Sequence, residues 1–321
     1  MKRVAVITTG GTIASKHNEE GRLSSGVISG EELSTILNLP EDIDITIYSM
    51  LQKPSMHISF SDLDNIRKKI IHLFKNNEAD GVVVTHGTDT LEESAYYLDL
   101  TIDDPRPVVV TGSQRSPVEL GSDAFINLRH AIYSASDTQL RDTGTVVVFN
   151  ERVFAAKYVK KEHASNIQGF NSFGYGYLGI IDNDQLFLYQ KPLRQDKVVP
   201  KDSKVPVVEI IKCYLGADDK FIRACIDSKV DGIILEGVGR GQISPDMMEA
   251  VKEAIAEGIH IVVTTAAEEG EVYTAYEYSG SAYDLYKAGV ILGKDYDSKK
   301  ARIKLITLLR AGENIKEGFT Q

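Results

Sequence analysis

Gly81-Val82-Val83-Val84-Thr85-His86-Gly87-Thr88-Asp89-Thr90 reads as a buried strand that breaks into a short polar loop. Val4-Ala5-Val6-Ile7, running into Thr9-Gly10-Gly11-Thr12-Ile13-Ala14, repeats the arrangement at the start of the chain. Neither apolar run alternates with polar residues, as expected of strands covered on both faces. In an open α/β sheet, ligands bind where loops leave the carboxyl ends of the strands. Two loops distant in sequence can therefore present hydroxyls to one crevice. A hydroxyl beside backbone N–H groups freed by glycine is a minimal kit for acyl transfer.

Working outward, strand-like runs at 4–8, 81–85, 108–111, 145–149, 206–211, 232–235 and 260–264 alternate with helical patterns. That alternation is the signature of a mostly parallel sheet. Phe60 to Asn76 sets Leu63, Ile66, Ile70 and Phe74 on one helical face, with Ser61 as the expected N-cap. A helix follows Asp123, carrying Leu128 and Ile132, and another begins at Pro245 and ends near Gly258. The terminal helix is expected over Ser298 to Leu309, before Gly312. The polar stretch 189–205, with two prolines, reads as a linker. The expected fold is therefore α/β in two domains. A larger N-terminal domain, 1–188, has a mostly parallel sheet with helices on both faces, and a smaller C-terminal α/β domain spans 206–321.

The composition, 42% hydrophobic and 26% charged residues, is that of a soluble globular protein. A formal charge of -10 tilts against nucleic-acid or anionic-membrane partners, which need a basic surface. No stretch approaches the roughly 18–20 apolar residues of a membrane helix. The short apolar run after Met1-Lys2-Arg3 fits a first strand better than a signal peptide, so a cytoplasmic location is expected. Cys213 and Cys225 make no paired or ligating motif and read as reduced packing residues. The seven histidines form no metal-ligand spacing, so a structural or catalytic metal has no support in the sequence.

Each reactive motif has a plainer reading. Thr12 after two glycines fits a turn whose threonine caps a helix. Thr88-Asp89, before Leu91-Glu92-Glu93-Ser94-Ala95, fits a helix N-terminus, where an anion is favoured and Asp89 can be a cap or hold an ammonium. Lys160-Lys161 fits a pair of solvated charges.

Together, however, TGGTIA and DGVVVTHGTDTLEESA resemble the bacterial L-asparaginase family, the threonine amidohydrolases. The resemblance continues through Thr111-Gly112-Ser113-Gln114-Arg115, Ser122-Asp123 with Asn127-Leu128, and the run from Asn171 to Gly179. It extends to Glu236-Gly237-Val238-Gly239-Arg240-Gly241 and Lys299-Lys300-Ala301-Arg302. It implies hydrolysis of L-asparagine to L-aspartate and ammonia through a covalent acyl-enzyme, without a metal or cofactor.

By the same resemblance Thr12 is the nucleophile, with Thr88, Asp89 and Lys161 completing the catalytic set. Substrate binding falls to Gly11, Ser55, Met56, Gly87, Thr88, Asp89 and Ser113, and to Gln242 at the pocket of a neighbouring subunit. The segment Tyr276 to Ser281 is expected near that pocket or as an ordinary interface strand and loop. A homodimer or homotetramer is implied. Two departures stand out: Met56 replaces a polar side chain beside the α-amino group, and no tyrosine lies between Thr12 and Tyr48. Leu23 and Arg22 occupy the corresponding loop, which reads as a lid over 15–28 hinged at Gly21 and Gly26. His57 is a weaker helper. A dual asparaginase-glutaminase remains open, because one methylene is worth only about 1–3 kcal/mol in a pocket. A non-catalytic amino-acid-binding protein is the alternative of a different class.

Overall fold

The computed structural model describes residues 1–10, 15–17, 23–25, 30–193 and 196–320. They form two compact units, Met1–Lys197 and Val198–Gln321. The first unit opens with strands β1 (Lys2–Thr8), β2 (Ser15–His17) and β3 (Leu23–Ser25). Helix α1 (Gly30–Ile36), β4 (Ile43–Ser49), α2 (Phe60–Lys75), β5 (Gly81–Thr85) and α3 (Leu91–Thr101) follow. Next come β6 (Val108–Thr111), α4 (Ala124–Ser136), β7 (Thr145–Phe149) and β8 (Arg152–Ala155). The unit closes with β9 (Lys160–Lys161), β10 (Phe170–Asn171), β11 (Gly179–Asp182) and β12 (Gln185–Leu188).

The main sheet has eight strands in the order β12-β11-β8-β7-β6-β5-β1-β4. From β4 to β7 every pairing is parallel; from β7 to β12 the pairings are antiparallel. Pleating sends alternate residues to opposite faces. Val4, Val6, Val83, Val109, Val146 and Val148 pack in one cluster with Leu33 of α1, with Leu37 just beyond its end, and with Leu128, Ala131 and Ile132 of α4. The intervening Ala5, Ile7, Val82, Val84, Val108 and Val110 are buried as well, and α3 packs against β6 and β7. Both faces are covered, which accounts for the unbroken valine runs.

Short returns build the antiparallel half. Asn150 and Glu151, both at positive φ, turn β7 into β8, and Asn183 and Asp184 do the same between β11 and β12. Positive φ at both central residues is the turn whose twist matches a hairpin.

The smaller unit carries β13 (Val208–Lys212), α5 (Lys220–Asp227), β14 (Gly232–Gly237), α6 (Met248–Ala256) and β15 (His260–Thr265). Then follow α7 (Ala282–Ala288), β16 (Ile291–Leu292), α8 (Ser298–Ala311) and α9 (Ile315–Thr320). Its four strands are parallel in the order β13-β14-β15-β16. Cys213 and Cys225 are free, buried thiols, and burial pushes the Cys213 thiol up to about 12. Among the described residues no helix is long and apolar enough to cross a membrane.

Three local expectations are corrected. The N-cap of α2 is Ser59, not Ser61: its Oγ accepts the Asp62 N–H at 3.2 Å, and Asp62 Oδ2 accepts the Ser59 N–H at 2.9 Å. Two orphan donors are thus satisfied reciprocally, and Lys53 Nζ reaches the same carboxylate at 2.8 Å. The helix expected to be terminal runs to Ala311, Gly312 ends it in the left-handed conformation, and α9 folds back to bury Phe319 against Tyr296. The segment 276–281 forms no strand.

Replacing Ser59 by alanine is expected to lower stability by about 1 kcal/mol, whereas Ser61→Ala stays within about 0.5 kcal/mol. Urea denaturation followed by circular dichroism checks both values. Equal losses at the two positions would contradict the cap assignment.

Candidate active site

After β1 the chain crosses to β4 on one side of the sheet, and after β5 it crosses to β6 on the other. The direction of winding therefore reverses between β1 and β5, the place where open α/β sheets hold ligands. The loop leaving β4 lies against the end of β1, with Met50 and Leu51 N–H both donating to the Thr8 carbonyl at 3.1 Å. Lys53 N–H donates to the Thr9 carbonyl at 3.1 Å. Gly10, at φ +128°, allows this approach, because a Cβ there would sit 2.4 Å from the Lys53 carbonyl oxygen. Gly87 plays the same part beside Ser55, whose Cβ and Oγ lie 3.0 and 3.1 Å from where its own Cβ would stand. Thr90 Oγ1 donates to the Ser55 carbonyl at 3.0 Å and ties the two loops together.

On this platform Thr88, Asp89 and Lys161 meet. Lys161 Nζ donates to Thr88 Oγ1 at 2.9 Å and to Asp89 Oδ1 at 2.6 Å. The lysine side chain is 14% exposed and the aspartate 66% exposed, so the cation sits inside and the carboxylate faces water. Thr88 Oγ1 donates in turn towards Gln114 Oε1 at 3.4 Å. With Lys161 donating to its oxygen, the threonine hydroxyl has its own proton to place, and Gln114 supplies the acceptor. The arrangement joins a hydroxyl, a lysine and a carboxylate in one hydrogen-bonded chain, which is the equipment for moving a proton to or from a nucleophile.

Lys161 arrives on the two-residue ladder β9–β10, and its own N–H donates to Glu92 Oε2 at 2.7 Å. Lys160, its neighbour, sends its Nζ over the Phe173 ring at 5.9 Å. The loop leaving β6 is braced by Asp123, which accepts the N–H groups of Gln114 and Arg115, each at 3.0 Å. Asn127 Nδ2 clamps the same loop by donating to the Gly112 carbonyl at 3.0 Å and to Asp123 Oδ2 at 2.9 Å. Asp123 flanks α4 at its N-cap yet spends its carboxylate on this loop.

The structure thus joins Thr88, Asp89 and Lys161, and sets buried Ser55 against Gly87. Ser113 is half-buried beside Gln114. Met56 is 69% exposed in the turn Ser55–His57, and His57 is exposed with it. Gln242 belongs to the second unit, where its Oε1 accepts the Ala282 N–H at 3.2 Å. Gly11, Thr12, Gly21, Arg22 and Gly26 lie outside the described residues, as do most of the expected lid and the Leu23 side chain. Gln114 and Glu92 stand in the quoted motifs without an assigned role, because nothing local to either residue marks a partner tens of positions away.

His86, at the mouth of β5, is buried, and its Nδ1 lies 2.8 Å from the Gly87 carbonyl oxygen. A carbonyl only accepts, so Nδ1 carries the proton. Nε2 is buried and meets no hydrogen-bond partner among the described residues. Burial outweighs the Gly87 contact and pushes the imidazole down to about 4.

A doubly wound sheet, with Thr88 and Asp89 on a switch-point loop and Lys161 brought to them by the short β9–β10 ladder, defines the class of α/β amidohydrolases. Residues 3–194 match the family model described as Asparaginase, N-terminal, and residues 207–318 that of the Glutaminase/Asparaginase C-terminal domain. The chain belongs to the asparaginase family. It is 59% identical over 319 residues to an L-asparaginase of Bacillus licheniformis, covering 99% of each chain. A glutaminase-asparaginase of Pseudomonas fluorescens biotype A is 26% identical, over 98% of this chain and 87% of its own. The crystal structure of a probable cytoplasmic L-asparaginase from Campylobacter jejuni superposes with a TM-score of 0.87 at 29% identity, over 100% of both chains.

The neutral His86 makes stability depend on pH. Below its ordinary value of 6.5 the unfolded chain binds a proton that the folded chain, at about 4, refuses. Stability is therefore complete above pH 6.5 and falls through that window by roughly 1.4 kcal/mol per unit, on the order of 3 kcal/mol in all. Denaturation of the wild type and His86→Gln from pH 7 to pH 4 is expected to show the stability difference drifting in favour of the variant by that order. A constant difference would mean that the ring is not held neutral.

Proposed function

We infer that the chain hydrolyses the side-chain amide of L-asparagine to L-aspartate and ammonia. The observation that carries this reading is Lys161 Nζ, held by both Thr88 Oγ1 and Asp89 Oδ1 in a chain of this family. Thr12 Oγ1 attacks the amide carbon, and its proton leaves with the departing ammonia as the C–N bond breaks. A water then attacks the threonine ester; Thr88 and Lys161 take and return its proton, and aspartate is released with the Thr12 hydroxyl restored. Backbone amides near Gly11 and Gly87 meet the developing oxyanion. Ser55 and Ser113 receive the rest of the substrate, and Asp89 binds its ammonium. Met56 contributes apolar contact only.

The enzyme works in the cytoplasm as a homodimer or homotetramer, with Gln242 from a neighbouring subunit at the substrate's amino end. No metal or organic cofactor enters the scheme. Support for the cytoplasmic setting comes from the description of the Campylobacter jejuni structure. L-Glutamine is the competing substrate, since its single extra methylene separates the two amides by only about 1–3 kcal/mol.

Ammonia release from L-asparagine and L-glutamine, measured side by side, tests the assignment. Asparagine is expected to dominate, and Thr12→Ala and Thr88→Ala to lower kcat by at least about 10³-fold while the proteins remain folded. Stabilisation by aspartate without ammonia release from either amide would mark a binding protein instead.

A further inference from the structure

Lys161 reaches the threonine loop from an element too short to hold itself. β9 and β10 share only the pairs Lys161↔Phe170 and Lys160↔Asn171, and a ladder of that length is not stable on its own. The N–H of Lys161 points out of the ladder, to Glu92 Oε2 at 2.7 Å. Glu92 is 2% exposed and occupies the first turn of α3, three residues after Asp89. At 2.7 Å the oxygen is within ordinary hydrogen-bond range of the N–H. The segment Thr88–Glu92 therefore grips one lysine at three points: its Nζ through Thr88 and Asp89, and its backbone through Glu92.

We propose that Glu92 is a positioning residue for Lys161, fixing the backbone from which the lysine reaches the Thr88 hydroxyl. The inference rests on the assignment of Thr88, Asp89 and Lys161 to the hydrolysis. Glu92 does not meet substrate in this scheme. Its effect passes through a hydrogen bond to main chain, so its reach matters and its charge does not. Removing it leaves a part-buried N–H without this partner and frees the hairpin to shift relative to α3.

Four variants and a double variant separate this role from a general loss of packing. Glu92→Ala is expected to lower kcat for asparagine on the order of 10–100-fold, because misplacement of a catalytic group by about 1 Å costs that much. KM moves less than kcat, staying within about threefold, since Asp89 keeps its place on its own loop. Glu92→Gln, whose amide oxygen still accepts the Lys161 N–H, restores most of the rate. Glu92→Asp, charged but one methylene short, does not. In a Lys161→Ala background Glu92→Ala costs nothing further, the mark of two residues acting as one unit. Hydrogen–deuterium exchange is expected to quicken across 158–162 in Glu92→Ala and Glu92→Asp, and to stay unchanged in β5.

Wild-type kcat in Glu92→Ala, a loss that adds in full to that of Lys161→Ala, or recovery by aspartate and not glutamine would each overturn the proposal. Should Lys161→Ala itself turn over asparagine like the wild type, the catalytic assignment falls instead. The exchange measurement then still decides whether Glu92 holds the hairpin, and unchanged exchange across 158–162 would refute it.

Discussion

The reversal of winding between β1 and β5 is the constraint on which the site depends. Parallel neighbours end at the same edge of a sheet, so their loops emerge side by side. The chain leaves β1 towards β4 and leaves β5 towards β6, the reversal of strand order at which open α/β sheets have their ligand crevice. Had both connections run the same way, one loop would have crossed over the other. The valine runs that place these strands in the middle of the sheet, covered by helices on both faces, hold the crevice rigid from below. Gly10 then lets the Lys53 backbone approach to a distance at which a Cβ would collide, and Gly87 leaves room for the Ser55 side chain.

A short ladder outside the main sheet supplies what the parallel half lacks. Loops at the switch point bring hydroxyls and carboxylates, and the lysine comes from a return after the direction of the sheet has changed at β8. Such a composite site needs braces between distant segments. Asp123 with Asn127 holds the loop leaving β6, Thr90 holds Ser55, and Glu92 meets the main chain of Lys161. Asp123, Asn127 and Glu92 are polar side chains at most 5% exposed, and each is bonded. At that depth a satisfied polar group fixes geometry, and an unsatisfied one destabilises.

The parallel strands were legible because an unbroken β-branched run such as Val82-Val83-Val84, bounded by Gly81 and a polar loop, fits a strand covered on both faces far better than a helix. The antiparallel returns were not. Asn150-Glu151 and Asn183-Asp184 adopt the positive-φ turn usually marked by asparagine followed by glycine, and the second residue carries no such mark. Serines at 59 and 61 compete for one cap, and only the bond to Asp62, with Lys53 behind it, decides between them. Thr88, Asp89 and Lys161 were legible as a set through the paired motifs. Gln114 and Glu92 were not, because their roles arise from contacts 26 and 69 positions away in sequence. Thr12, expected from its motif to be the nucleophile, lies outside the described residues.

Lys161 and Asp89 are unevenly buried, and the two groups divide their work accordingly. An ion pair with a carboxylate 66% exposed contributes little to stability, since water screens it. What the pair fixes is direction. Lys161 is almost enclosed and touches the Thr88 hydroxyl from within the protein, so on the proposed reading it serves the proton traffic of the hydroxyl. Asp89 presents its charge outward, on the side from which a substrate ammonium can arrive. Met56, lying exposed next to Ser55, has a thioether with no charge to share that task. On the same reading, recognition of the ammonium concentrates on one carboxylate, and that carboxylate is bonded to the lysine that serves the hydroxyl. Binding the correct substrate and setting the lysine become a single electrostatic event, coupled through Asp89.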